Sequence, residues 1–146
     1  MFLNMVCIGT GFQIEALLRE GHGTPTSLQC LDTVMQYWVS WVGYPKELTA
    51  DRGLNNRGIF CKELSAAGVY CGSTGLEAPY QLGKVERHGD IWKKIAAKVI
   101  ETKNIKGAQG MKLVAAEVNS VERDEQSRRI LPRSMGYRTT AQALGR

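Results

Sequence analysis

One stretch, residues 38–53, decides the fold class, because it leads from a helix through a turn into a strand: WVSWVGYPKELTADRG. Apolar residues just before and within it recur at spacings of three and four: Leu28, Leu31, Met35, Trp38 and Val42. This stripe predicts a helix from Ser27, as its cap, to about Trp41. Gly43 fits the end of the helix and Pro45 blocks its continuation. A short strand, residues 47–49, then leads directly to Asp51.

The rest of the chain alternates between short apolar segments and longer amphipathic ones. Residues 2–8 and 12–18, separated by Gly9-Thr10-Gly11, predict a β-hairpin. Further elements are predicted as a helix at 59–67, a strand at 69–71, a long helix from 80 or 81 to about 103, and a helix at 111–121. A hairpin followed by alternating helices and strands indicates an α/β fold with a mixed sheet covered by helices.

Composition limits the functional classes. The chain of 146 residues has a net charge of +5 and a pI near 9.1, which mildly favours an anionic partner. No apolar run approaches the roughly 18–20 residues of a membrane span. The four cysteines include no Cys-x-x-Cys pair, which argues against a zinc finger. Their apolar neighbours indicate reduced core residues of an intracellular protein.

Two carboxylates stand out as candidates for chemistry. Asp51 follows the predicted strand, and Glu86 opens the long helix 35 positions later. Carboxylates that converge from different elements onto metal ions are what two-metal phosphoryl transfer requires. Spacing alone favours the simpler alternative, in which Asp51 belongs to a turn and Glu86 is a first-turn residue stabilised by the helix dipole.

The long helix is also rich in basic residues. Between positions 84 and 106 the chain carries seven of them: Lys84, Arg87, Lys93, Lys94, Lys98, Lys103 and Lys106. Such a helix can lie along a phosphate backbone, and a solvated helix face is an equally good explanation. Glu86 and Lys93 are seven residues apart, so both project from one flank. Trp38, Trp41 and Trp92 fall on apolar stripes, which predicts core positions rather than platforms for base stacking.

At these residues the chain resembles the integrase catalytic core of retroviruses and long-terminal-repeat retrotransposons. The helix-to-strand passage at 38–48, the Asp51-Arg52-Gly53 motif, Pro79 and the segment Gly83-Lys84-Val85-Glu86-Arg87 match in order. The resemblance covers residues 2–121. It implies a ribonuclease H-like, three-layer α/β/α fold with a five-stranded mixed sheet.

The resemblance also implies DNA strand transfer by two-metal phosphoryl transfer, with Mg²⁺ or Mn²⁺ as cofactor. Asp51 and Glu86 would be catalytic residues and metal ligands. Lys93 would contact DNA from the helix of the glutamate, together with Lys94 and Arg87. Asn55 and Asn56 would position DNA from the loop after the aspartate. The partners implied are element ends and target DNA, with self-association into a homo-oligomer and no membrane.

The chain departs from the family in one respect that affects activity. The family's first aspartate lies on a strand upstream of the hairpin, and this sequence begins at the second strand, so we expect the first strand and its ligand to be missing. Cys7 and Asp32 are poor substitutes. We therefore expect an N-terminally truncated core at 1–121, an irregular or disordered tail at 122–146, and a fragment or inactive copy of a transposable-element protein. The location would be intracellular, plausibly nuclear. The alternatives are a non-catalytic nucleic-acid-binding remnant and a structural or interaction domain.

Overall fold

Five strands form one sheet at the centre of the molecule. The computed structural model describes residues 1–19, 23–50, 58–73, 79–127 and 138–144. The strands are β1 (Phe2–Cys7), β2 (Gln13–Leu17), β3 (Glu47–Ala50), β4 (Tyr70–Ser73) and β5 (Arg138–Leu144). Their order across the sheet is β2-β1-β5-β3-β4. The fold is therefore mixed α/β, as the sequence predicts.

The sheet combines both kinds of pairing. β1 pairs antiparallel with β2, where Asn4 lies opposite Glu15, and antiparallel with β5, where Met5 lies opposite Ala141. β3 runs parallel to both β5 and β4, and Ala50 lies opposite Ala141. The hairpin and the parallel pair are thus joined through β5 alone.

Helices occupy both faces of the sheet. They are α1 (Ser27–Val34), which continues through a π-helical segment (Met35–Val39) into α2 (Ser40–Val42), then α3 (Gly58–Ala66), α4 (Pro79–Lys103) and α5 (Gly107–Ser127). One core contains Leu3, Met5 and Leu48 from the strands, with residues of α1, the π-helical segment and α3. The other contains Phe2 with residues of α4 and α5. Alternate residues of β1 therefore serve opposite cores.

The N-cap of the first helix lies one residue earlier than predicted. Thr26 is the N-cap: its Oγ1 accepts from the Gln29 backbone N–H at 3.1 Å, and Gln29 Oε1 accepts from the Thr26 N–H at 2.9 Å. This capping box satisfies two backbone donors at once, so Ser27 is left as the first helical residue. Its hydroxyl accepts instead from the backbone N–H of Phe60, at 2.9 Å, and so ties α1 to α3.

Residues 122–127 and 138–144 correct the predicted irregular tail at 122–146, and the rest of that tail lies outside the described residues. α5 continues to Ser127, and residues 138–144 form β5. The prediction failed because Arg138-Thr-Thr-Ala-Gln-Ala-Leu144 lacks the apolar run typical of a central strand. The strand is stabilised by its backbone pairing with β1 and β3, which its composition does not indicate. In the sheet, β5 lies between β1 and β3.

The other predicted elements are present with shifted ends. α5 begins at Gly107, four residues earlier than predicted, because a positive φ of 78° at this glycine turns the chain straight into the helix. Over the part of the chain that the structure describes, no helix combines the length and apolar character that a membrane crossing requires.

Candidate nucleic-acid interface and acidic site

Helix α4 is fixed to the sheet by its apolar stripe and by one buried amide. Val85, Trp92 and Ala96 are buried, and the rings of Trp92 and Phe2 have centroids 4.9 Å apart. Asn4 Nδ2 donates to the Val85 carbonyl at 3.1 Å. Because these residues face the sheet, Glu86 is turned away from it and its side chain is exposed.

The exposed side of α4 carries four of the seven predicted basic residues. We define the basic flank as the exposed side chains of Arg87, Lys93, Lys94 and Lys98. The ion pair Lys103–Glu117, at 2.7 Å, lies at the far end of α4, and no described carboxylate forms a salt bridge with the four side chains of the flank. Lys84 differs from these residues, since its Nζ donates to the Ile8 carbonyl at the end of β1. The flank is therefore available to an anionic partner.

The described part of the acidic site consists of Glu86 and the strand end that leads to Asp51. Ala50, the last residue of β3, lies opposite Ala141, which lies opposite Met5. Asn4, which precedes Met5 in β1, donates a side-chain hydrogen bond to the Val85 carbonyl. The turn of α4 that contains Glu86 therefore lies over β1, at the height in the sheet at which β3 ends. β3 is two strands away from β1. Asp51, Asn55 and Asn56 lie outside the described residues.

The described residues do not fit the magnesium site that the resemblance implies. They contain no group of three or more His, Cys, Asp or Glu side chains able to hold a metal ion. β5, which lies between β1 and β3, has no acidic residue. Asp32 is exposed on α1, and Cys7 is buried in the core. Glu86 alone, on an exposed helix face, supplies too few oxygen ligands for Mg²⁺ or Mn²⁺.

A buried polar network lies under α4, and no sequence motif indicates it. Gln13 Nε2 donates to Asn4 Oδ1 at 2.9 Å and to Glu15 Oε1 at 3.1 Å. Because these two bonds fix the orientation of the Gln13 amide, its Oε1 faces the imidazole ring of His88. This oxygen accepts from His88 Nδ1 at 3.1 Å. The sequence feature that corresponds to this network is the pair of polar residues at alternate strand positions, Gln13 and Glu15. Both lie on the face of the sheet that α4 and α5 cover. The network fixes the height and rotation of α4 over the hairpin.

His88 is the titratable member of this network on α4. Burial lowers its pKa, and the positive charges of Lys84 and Arg87 lower it further. The neutral ring therefore predominates at neutral pH and donates through Nδ1. An adjacent feature is the turn at Gly11, which has a φ of 76° and approaches the edge of the imidazole ring.

The three tryptophans do not share one environment. Trp38 and Trp92 are buried, as predicted. Trp41 is 73% exposed, which corrects the predicted core position. It follows the π-helical segment, whose wider turn shifts the helical phase and moves Trp41 out of the apolar stripe. Its ring borders a cleft of about 220 Å³ between β2 and α5.

Comparisons of the chain with protein-family models, with curated proteins and with solved structures give no match. Function is therefore inferred from the residues and their geometry.

Proposed function

We propose that this chain is an integrase-core-like domain that binds DNA through the basic flank of α4 and does not catalyse strand transfer by itself. The observation that carries the proposal is the basic flank, whose four exposed cations form no salt bridge with a described carboxylate. The resemblance adds the expectation that this helix faces DNA. The ribonuclease H-like assignment is part of the same proposal.

The size and position of the flank suit a phosphate backbone. From Arg87 to Lys98 the helix rises about 16 Å, long enough to meet a few successive phosphates of one strand. Arg87, Lys94 and Lys98 lie on one row of the helix, directly opposite the buried stripe. Lysine and arginine contacts to phosphate carry no sequence information, so binding should tolerate different DNA sequences.

The proposed absence of catalysis is supported by the acidic residues that the structure describes, which do not include Asp51. Strand transfer by two metal ions needs several acidic ligands around one point. Among the described residues only Glu86 of the predicted set is present, and β5 brings no acidic residue into the centre of the sheet. Phosphate contacts need no such ligands, so DNA binding should be independent of divalent metal.

The test is a salt titration of binding to a short DNA duplex. Neutralising four phosphates, one for each side chain of the basic flank, predicts a slope of about −3.6 in a plot of log K against log salt. Lys93→Ala with Lys94→Ala should reduce the magnitude of this slope by about 2. Lys112→Ala, an exposed lysine of α5, is the matched control and should change little. Binding that is unaffected by salt and by the double substitution would refute the proposal and leave a structural or interaction domain.

A second candidate is strand transfer itself, which one observation favours: the turn with Glu86 lies level with the strand end that precedes Asp51. This candidate requires an additional acidic strand in place of β5. A longer chain that supplies this strand would be assayed with magnesium and with manganese. Asp51→Asn and Glu86→Gln should each abolish strand transfer, and activity that survives either substitution would refute this assignment.

The proposed DNA partner also implies a nuclear location and self-association on element ends. Both can be measured independently of activity, by imaging of a tagged full chain and by sedimentation with and without DNA. A monomer on DNA would argue against the homo-oligomer.

A further inference from the structure

Two cysteines meet on the edge of the molecule that is farthest from the hairpin. Cys61 lies in the first half of α3, and Cys71 lies in β4, the last strand in the sheet order. Both side chains are half-buried and reduced. The Cys71 thiol donates to the Cys61 carbonyl, with Sγ 3.9 Å from the oxygen. The thiols also interact with each other: burial, the charge of Cys61 and the hydrogen bond that the Cys71 thiol donates to Cys61 raise the pKa of Cys71 to about 11.

We propose that Cys61 and Cys71 form a reversible intramolecular disulfide when the chain meets a small-molecule disulfide such as oxidised glutathione. The two residues come from a helix and the strand beneath it, and each is accessible enough to react. Cys7 and Cys30 provide the internal comparison, because both are fully buried in the core. This inference does not depend on DNA binding.

The reaction proceeds by two thiol–disulfide exchanges. A thiolate of the chain attacks one sulfur of oxidised glutathione, so that a mixed disulfide forms and one glutathione thiolate leaves. The second cysteine then loses its proton and attacks the mixed disulfide, which forms the Cys61–Cys71 bond and releases the second glutathione. Two electrons pass from the cysteine pair to glutathione, and two protons are taken up by the released thiolates.

The order of attack follows from the thiol environments. At neutral pH Cys71 is almost wholly protonated, so Cys61 is expected to attack first. Cys71 completes the bond as the resolving thiol, and the hydrogen bond from Ser65 stabilises its thiolate during this step. Disulfide formation should therefore accelerate as pH rises.

The disulfide would join α3 to β4. A covalent bond between the two elements would restrict their relative movement.

The experiment treats the folded full chain with oxidised glutathione and digests it with trypsin without reduction. Cleavage after Arg57, Lys62 and Lys84 places Cys61 in peptide 58–62 and Cys71 in peptide 63–84. Mass spectrometry should find these two peptides joined, and reduction should separate them. Cys7 and Cys30 fall in two further peptides, 1–19 and 20–46, which should stay unmodified.

Single variants separate the disulfide from simple thiol modification. Cys71→Ser should stop at a stable glutathione adduct on Cys61, and Cys61→Ser should react much more slowly than the wild type. Closing this short loop should raise the thermal midpoint of the wild type by roughly 5–10 °C, and of neither variant. Glutathione adducts on both cysteines of the wild type, or a bond between two chains, would overturn the proposal, whichever way DNA binding is decided.

Discussion

Asn119 of α5 pairs with the backbone of Glu15 in β2 as a neighbouring strand would. Its Oδ1 accepts from the Glu15 N–H at 3.1 Å, and its Nδ2 donates to the Glu15 carbonyl at 2.7 Å. β2 is an edge strand. The Cys7 N–H donates to the Phe12 carbonyl, and hydrogen-bonded and non-hydrogen-bonded pairs alternate along an antiparallel ladder. The backbone N–H and carbonyl of Glu15 therefore point away from β1. The buried side-chain amide of Asn119 thus provides hydrogen-bond partners for the edge-facing N–H and carbonyl of Glu15, and it attaches α5 to the sheet.

Replacing this amide should be costly. Asn119→Ala leaves a buried N–H and a buried carbonyl without partners, so we expect the free energy of unfolding to fall by about 2–4 kcal/mol. Urea denaturation measures it. Ser120→Ala, the exposed neighbour in α5, is the control and should change stability by less than about 0.5 kcal/mol. Equal effects of the two substitutions would show that the amide does not support the edge.

Stability should decrease as pH falls through the titration of His88. Its pKa in the folded chain is lower than the ordinary value of about 6.5, so the unfolded chain binds the proton first. Lys84 and Arg87 on α4 oppose the charge, and Gln13 of β2 faces the ring. The free energy of unfolding should therefore decline from about pH 7 downwards and level off below the folded pKa. His88→Gln should flatten this dependence, and an unchanged slope would contradict it.

Two helical glycines should respond in opposite directions to alanine. At Gly83 in α4 an added Cβ meets nothing within 4 Å, so Gly83→Ala should stabilise the chain by about 0.5–1 kcal/mol through the unfolded state. At Gly110 in α5 the Cβ would overlap Cγ2 of Ile105. Gly110→Ala should destabilise by about 1–3 kcal/mol. Thermal unfolding of the two variants side by side checks the prediction, which fails if both shift in the same direction.

Glu86→Gln distinguishes the two functional proposals. Glu86 is exposed beside Lys93 on the same flank, so its charge opposes phosphate. Under the DNA-binding proposal the substitution should tighten binding by about two- to fivefold at low salt, with the gain lost at high salt. Fluorescence anisotropy measures both conditions. Unchanged binding in low salt would place the DNA elsewhere.

The backbone of β5 should be indispensable. Ala141 lies between Met5 and Ala50 at the centre of the sheet, where proline lacks the N–H that a ladder requires. Ala141→Pro should abolish the native circular dichroism spectrum and the cooperative urea transition. Ala141→Gly keeps the N–H and should cost only about 1 kcal/mol. A folded proline variant would show that β5 is not needed to join the sheet.

The success of sequence reasoning varied with the type of signal. The passage around Gly43 and Pro45 and the apolar stripe of α4 were predicted well, because local chemistry sets helix ends and buried faces. β5 was missed because its order comes from partners more than 80 residues away, such as Ala50 opposite Ala141. The Gln13–His88 bond depends on the crossing of α4 over the hairpin, and Cys61 and Cys71 meet only because α3 lies on β4. These are tertiary relationships that no periodicity reports.

The central place of β5 has a consequence for how the chain acquires its fold. Phe2 lies opposite Leu144, so the ladder between β1 and β5 can form only after β5 has been synthesised. During synthesis, at about 5–20 residues per second, β1 and β3 keep exposed strand edges until β5 has been made. Contacts that span nearly the whole sequence also slow the search for the native state. We therefore expect the sheet to be completed late, only after β5 has been made, and the partly formed sheet to depend on chaperones until then.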